Sequence, residues 1–260
     1  MGPVTKRDTC PACGRRFAAE AGVWDLRPRA LAGAKANEDR AAGTDQPAWR
    51  RLTQKWHWIE WFDSRWRPRL VGSDTRRFLE LGGGLCYASA LAKRDLPDGY
   101  VVATDISAQY LRRDAIRVGE IIGTPADLYA AVDAEAIPFD DGQFDAVYSQ
   151  IMLYRLPDPA RALREIHRVL APGGRYLGVE RASPWLWDSD GSNKRISDRA
   201  TKDGTLERPV TFREWRRLIG ASGVGGVSIA VVPGRRVRGG WLRRLGSAVR
   251  PVYVTIEVRK

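Results

Sequence analysis

The residues best suited to chemistry in this sequence are carboxylates and glycines that end short apolar runs. Glu80-Leu81-Gly82-Gly83-Gly84 follows Phe78-Leu79, and Asp105 follows Val101-Val102-Ala103-Thr104. Asp133 follows a third run, Leu128 to Val132. Glycines between a strand and a helix let the backbone approach a ligand closely and aim a helix N-terminus at a negative group. Such a turn alone is a weak signal, because any tight strand-to-helix connection takes glycine. Asp105 strengthens it, since it lies about 20 residues beyond the last glycine, where an acid meets the ribose hydroxyls of a bound nucleoside. Without a ligand, a carboxylate at a sheet's exposed end has little structural work, so Asp105 and Asp133 read as binding groups.

Elements that hold these residues follow from the periodicity. From Arg77 the pattern is strand, turn, helix, repeated. Strands are expected at Phe78 to Leu81, Tyr100 to Thr104, Leu128 to Val132, Ala146 to Ile151 and Tyr176 to Val179. Helices fall at Cys86 to Arg94, at Ala108 to Val118, and from Asp158-Pro159 through Leu170, where Pro172-Gly173-Gly174 stops the last. Residues 181–209 read as a long polar insertion, and Thr211-Phe212-Arg213-Glu214 as a capping box opening another helix. Ser228 to Val232 and Val252 to Val258 close the sheet as a pair. The expected fold is α/β: a Rossmann-like, seven-stranded, mostly parallel sheet with helices on both faces, over residues 71–260. Ligands of such a sheet bind at the carboxyl ends of its strands.

Residues 1–70 read as an N-terminal helical arm. Arg27 to Ala42 lacks a clear period and reads as a linker. Asp45-Gln46-Pro47 starts a helix in which Trp49, Leu52, Trp56, Ile59, Phe62 and Trp66 mark one face, with Trp58 and Trp61 off it and Pro68 ending it. Two readings stand: a helix packed on the domain, or a lid whose extra aromatic face, with an insertion bearing Trp185 and Trp187, encloses a substrate pocket with an aromatic lining.

Two further blocks move the reading from fold to family. Val132-Asp133-Ala134-Glu135-Ala136-Ile137-Pro138-Phe139 precedes Phe144-Asp145-Ala146-Val147. Leu156-Pro157-Asp158-Pro159 precedes Leu163-Arg164-Glu165-Ile166-His167-Arg168-Val169-Leu170-Ala171-Pro172-Gly173-Gly174. The run from Phe78 to Val179 resembles the class I small-molecule methyltransferases of the ubiquinone-biosynthesis type. The resemblance implies S-adenosyl-L-methionine as cofactor. It implies that Glu80, Gly82, Gly83 and Gly84 line its methionine part, and that Asp105, with Ile106, takes the ribose. Asp133 would accept from the adenine amino group beside the Ala134 backbone, and Gln150 and Ile151 would face the sulfonium. Two departures stand out: Cys86 where the family usually has a third glycine, and Tyr154-Arg155 where it often has histidine. The second puts histidine-based catalysis in doubt, and the catalytic residue stays unassigned. His57, Tyr154, Glu180 and Trp185 are the candidate substrate contacts. Asp145 reads as a strand-entry residue, and His167 as an ordinary helix residue.

Cys10-Pro-Ala-Cys13 resembles half of a zinc module of the kind that precedes some methyltransferase domains, including rRNA guanine methyltransferases. A closed zinc site needs four ligands, and beyond these two the sequence offers Cys86, His57 and His167, none in a second paired motif. No metal is therefore expected. The net charge is +12, which admits an anionic small substrate or, less favoured, RNA. The basic residues are scattered except between Gly234 and Arg244. No apolar run approaches the length of a membrane span, and no signal-peptide core opens the chain, so the reading is a cytoplasmic protein. The expected reaction is methyl transfer to an O, N or C nucleophile of a small molecule. The alternatives are an RNA methyltransferase, a nicotinamide oxidoreductase, which the Asp133 and Pro172 blocks disfavour, and a cofactor-binding relative that transfers no methyl.

Overall fold

Short apolar runs pair into one sheet in the computed structural model, which describes residues 14, 16–28, 31–41, 48–182, 206, 210–232 and 252–260. The strands are β1 (Ala19–Glu20), β2 (Val23–Asp25), β3 (Arg77–Leu81), β4 (Tyr100–Asp105), β5 (Leu128–Ala131), β6 (Phe144–Gln150), β7 (Leu170–Ala182), β8 (Val227–Val232) and β9 (Val252–Arg259). Their spatial order is β1-β2-β5-β4-β3-β6-β7-β9-β8. Ladders from β2 through β7 are parallel, whereas β1–β2, β7–β9 and β9–β8 are antiparallel. The chain reverses its direction of travel across the sheet between β3 and its neighbour β6, which is where such sheets open a crevice for ligands.

Alternation along each strand sends side chains to two cores. Leu79, Leu81, Val102 and Val147 face one, with Ile166 and Trp215. Phe78, Val101, Ala146 and Tyr148 face the other, with Trp58, Phe62 and Trp66. The first face is covered by α8 (Pro159–Val169) and α9 (Phe212–Ser222). Asp158 caps α8 by accepting the Arg161 N–H at 2.9 Å, and Thr211 with Glu214 forms the full capping box of α9. On the second face lie α3 (Trp56–Trp61), a wide π turn at Phe62–Trp66, α4 (Arg67–Leu70) and α5 (Tyr87–Asp95). A short α6 (Ala108–Tyr110), a second π turn (Leu111–Ala115) and α7 (Ile116–Ile122) connect β4 to β5. Asp145 accepts the backbone N–H groups of Arg76 and Arg77, both at 2.8 Å, and so aligns the starts of β6 and β3.

Three expectations are corrected. The sheet has nine strands, because the β1–β2 hairpin of the N-terminal segment adds to the free edge of β5 and satisfies its backbone groups. The stretch read as a linker contains α1 (Gly33–Ala41). Its sequence has no strong apolar stripe, and ion pairs to distant residues hold it: Lys35 to Asp133, Glu38 to Arg155 and Asp39 to Arg27. The tryptophan-rich helix is not continuous. A turn at Lys55 separates α2 (Ala48–Gln54) from α3, and the π turn follows. The break changes the buried face. Trp56 is 56% exposed, while Trp58 and Trp61 are buried. Pro68 does not end the helix: it sits in the first turn of α4, where a missing N–H costs little. The insertion with Trp185 and Trp187, the Arg-rich stretch, and Cys10 and Cys13 lie outside the described residues.

Candidate active site

The carboxyl ends of β3, β4, β5 and β6 open on a cleft of about 440 Å³, within the range of roughly 300–1,000 Å³ common to small-molecule sites. Its floor is the turn after β3. Gly82 and Gly84 have φ of +62° and +56°, the left-handed region that glycine enters without strain. Gly83 is needed for a different reason: a Cβ there would lie 2.8 Å from the Glu80 carboxyl and from Cys86 Sγ. Cys86 itself has φ +50°, which explains why glycine suits this position and shows a cysteine adopting the strained conformation. The turn is fastened to β4 by the Gly83 N–H on the Thr104 carbonyl and the Thr104 hydroxyl on the Glu80 carbonyl.

Three of the acids that line the cleft stand at or just beyond strand ends, each with a defined local role. Glu80 is buried and accepts the Ser89 N–H at 2.7 Å and its hydroxyl at 2.6 Å. Burial pushes its carboxyl up to about 7, against those two bonds, and the nearby Asp105 adds to the rise. Asp105 accepts the Gly84 N–H at 2.8 Å and the Ser107 N–H at 2.9 Å. Burial raises its pKa despite both bonds. Asp133 accepts the Glu135 N–H at 3.0 Å and the Lys35 ammonium at 2.6 Å. The expectation that these carboxylates lack structural work is therefore corrected: Asp105 ties the glycine turn to β4, and Asp133 ties its own loop to α1.

The ten residues that the family resemblance implies for the cofactor all line this one cavity: Glu80, the glycines 82–84, Asp105, Ile106, Asp133, Ala134, Gln150 and Ile151. Ile151 leaves β6 with φ +54°, unusual for a β-branched residue, and its N–H bonds the Val179 carbonyl. Gln150 accepts from the hydroxyls of Tyr87 and Tyr148. The cleft also takes in Lys35 and Glu38 of α1, Gln54 and Lys55 beside the helix break, and Tyr87, Met152 and Arg155. Among these, Arg155 stood out in the sequence as a family departure. The rest carried no signal, because Lys35 and Glu38 sit in a stretch without periodicity.

Candidate substrate contacts are placed differently. His57 is exposed, its ring 4.9 Å from that of Trp58, and it does not line the cleft. Trp58, Trp61 and Trp66 pack against one another, and Trp58 against Tyr253 at 4.7 Å, so the tryptophan segment builds core. Tyr154 and Glu180 are buried behind the cleft wall. Glu180 accepts the N–H groups of Met152, Leu153 and Tyr154 at 3.1, 2.9 and 3.4 Å, which sets the loop leaving β6. Burial lifts its carboxyl to about 7 against those three bonds. Trp185 lies outside the described residues. No group of three or more metal-ligating side chains occurs among the described residues.

The central strands run in the order β5-β4-β3-β6-β7-β9-β8, with an antiparallel β9 inserted beside β7. Residues 79–178, from β3 into β7, match the family model described as a methyltransferase domain. Over this stretch the chain is similar to methyltransferase domains. Over 114 residues it is 39% identical to the ubiquinone/menaquinone biosynthesis C-methyltransferase UbiE of Vibrio parahaemolyticus, covering 43% of each chain. It is 37% identical to that of Yersinia enterocolitica, covering 43% of this chain and 45% of the relative. The chain thus spans less than half the length of the curated relatives it matches. Among solved structures, the Haemonchus contortus phosphoethanolamine N-methyltransferase 2 in complex with phosphomonomethylethanolamine and S-adenosylhomocysteine aligns with a TM-score of 0.64. That alignment is 16% identical and covers 90% of this chain and 61% of that one. The cyclase SpnF aligns with a TM-score of 0.54 at 21% identity, covering 75% and 79%. At such identities the likeness to these proteins is one of fold.

Proposed function

We propose that the protein transfers a methyl group from S-adenosyl-L-methionine to an O, N or C nucleophile of a small molecule. The observation that carries this is the meeting of Gly82–Gly84, Asp105 and Asp133 in one cleft at the carboxyl ends of three adjacent parallel strands. The residues fit the cofactor. The glycine turn leaves room for the methionine portion, with open space above Gly84. Asp105 offers acceptors for a ribose diol and Asp133 one for an amino group. Ile106, Ile151, Met152 and Leu156 supply apolar wall between them. When bound, the cofactor's sulfonium supplies the activated methyl group. The chain's own residues bind and orient: Gln150, fixed by two tyrosine hydroxyls, and Ile151 border the end of the cleft nearest β6, and the apolar wall excludes water.

The substrate is read as anionic and biosynthetic. Lys55 and Arg155 line the cleft on the side of α2 and the β6 exit, where an acidic or phosphorylated group would meet them. Arg155 bonds Glu38 at 3.1 Å and the Tyr154 hydroxyl at 2.9 Å, so it is held in one orientation. Domain limits of 1–70 and 71–260 remain part of this reading, with the N-terminal part supplying one cleft wall.

Titration calorimetry with S-adenosyl-L-methionine tests the proposal. Asp105→Ala and Asp133→Ala should each weaken binding by about 1–3 kcal/mol, the scale for unpairing polar groups in a site. Wild-type affinity in both folded variants would overturn the assignment. Ligands that bind without any release of S-adenosylhomocysteine would point instead to a protein that transfers no methyl.

A further inference from the structure

Lys35 lies outside the segment that matches the methyltransferase domain, yet it sits in the cleft against the group assigned to adenine. Its ammonium is 2.6 Å from Asp133 Oδ2 and 2.8 Å from Glu135 Oε2. Both carboxylates are buried, at 4% and 6% exposure. Their remaining oxygens are fixed by the backbone: Asp133 Oδ1 accepts the Glu135 N–H at 3.0 Å, and Glu135 Oε1 accepts the Asp158 N–H at 2.7 Å. The two acids are therefore immobile neighbours bridged by one cation.

Elementary electrostatics says what that cation does. Two like charges held side by side repel, and an opposite charge between them offsets that repulsion. The Lys35 ammonium bridges the two carboxylates and holds Asp133 Oδ2 in place. That oxygen has a second lone pair beyond the one Lys35 uses, which can accept from an amino group. Burial by itself would lower the Lys35 pKa, but the hydrogen bonds and charges of the two acids outweigh it and hold it above its ordinary value. The ammonium thus stays charged at neutral pH.

We infer that Lys35 is a positioning residue for cofactor recognition: from α1 it bridges Asp133 and Glu135, and so holds Asp133 as the oriented acceptor that selects an amino-bearing purine. This rests on the cofactor reading above. A site built around a hydrogen bond to an amino group rejects an analogue that lacks the group, because the buried acceptor is left unpaired. Lys35 therefore sets discrimination between adenine and hypoxanthine and does more than close the cleft.

The experiment measures binding of S-adenosylhomocysteine and S-inosylhomocysteine, whose purine carries a carbonyl in place of the amino group, to the full chain by calorimetry. The wild type should favour the adenosyl ligand. Lys35→Met should lose about tenfold in affinity for it, the scale of a hydrogen bond involving a charged group, with a much smaller change for the inosyl ligand. Lys35→Gln, which keeps a donor without the charge, should lose discrimination in the same direction, and Lys35→Arg should restore most of it. Equal losses for both ligands would overturn the assignment, leaving α1 as a plain wall. Tighter adenosyl binding in Lys35→Met would overturn it too, showing that the ammonium competes for Asp133. A wild type that binds neither ligand would bring down the cofactor reading itself, whereas a discriminating wild type with an unaffected variant would bring down only the role of Lys35.

Discussion

Gly83 and Gly84 are adjacent, and they are glycine for different reasons. At Gly83 the constraint is close approach: an added Cβ would meet the Glu80 carboxyl and Cys86 Sγ at 2.8 Å, and both are buried. At Gly84 the space is open and the constraint is a φ of +56°. Gly83→Ala should therefore overpack the turn, lowering stability by about 1–3 kcal/mol and displacing Glu80. Gly84→Asn should be milder, since asparagine tolerates the left-handed region. Thermal melts of the two variants, with S-adenosylhomocysteine titrations on each, check this ordering. A Gly83→Ala protein as stable as wild type would mean that the turn is less tightly packed than its geometry indicates.

At the scale of elements, the tryptophan-rich segment shows how one residue of register decides a role. A continuous helix would bury Trp56 and leave Trp58 and Trp61 on its outer side. The turn at Lys55 and the five-residue π turn reverse this, and Trp61 and Trp66 meet with ring centroids 5.7 Å apart. Phe62 rests on Tyr148 of β6 at 4.7 Å. Trp61→Ala should accordingly lower unfolding free energy by about 3–5 kcal/mol. Cofactor affinity of the folded variant should stay within about threefold of wild type, because a core ring on the far side of α3 shares no partner with the cleft. Denaturant melts and calorimetry separate the two effects. Lost affinity at unchanged stability would restore the lid reading. The helix α1 is the opposite case: its place comes from charge pairing at three points, and its Lys35 and Glu38 reach the cleft that Trp58, Trp61 and Trp66 do not.

Across the whole molecule, two buried glutamates make stability depend on pH. Glu80 and Glu180 both titrate near 7 in the fold, against 4.5 as an ordinary value. Between those limits the folded state binds more protons than the unfolded state, so unfolding free energy falls as pH rises. The stabilisation is complete below about 4.5 and gone above about 7, at an order of 1–3 kcal/mol per group. Glu180→Gln should be less sensitive: its unfolding free energy should fall less steeply than that of wild type between pH 5 and 7.5. Equal slopes would show that Glu180 titrates at its ordinary value. Among the described residues no helix is long and apolar enough to cross a membrane.

Much of the domain was legible because its signals are local. Short apolar runs, the glycine turn, the start of α8 at Asp158 and the Thr211–Glu214 box each depend on residues a few positions apart, and each is present in the fold. Bounds shift where distant pairing intervenes: β7 begins at Leu170, so Pro172-Gly173-Gly174 lies inside it rather than before it. The ten residues that the family resemblance implied for the cofactor lie at or just beyond the carboxyl ends of β3, β4, β5 and β6, which parallel pairing brings together around one cleft. What tertiary structure alone decided depends on partners far away in the chain. Val23–Asp25 is a strand because β5 offers an open edge, and Gly33–Ala41 is a helix beside the cleft because Arg27, Asp133 and Arg155 await its charges. Glu180 turns inward to three backbone N–H groups, a demand set by how β6 ends beside β7. Asp105 and Asp133 could be recognised as special from spacing, but their bonds to Gly84 and Lys35 span 21 and 98 residues. Local sequence encodes conformational preference, whereas burial and charge pairing act between residues that only the folded chain makes neighbours.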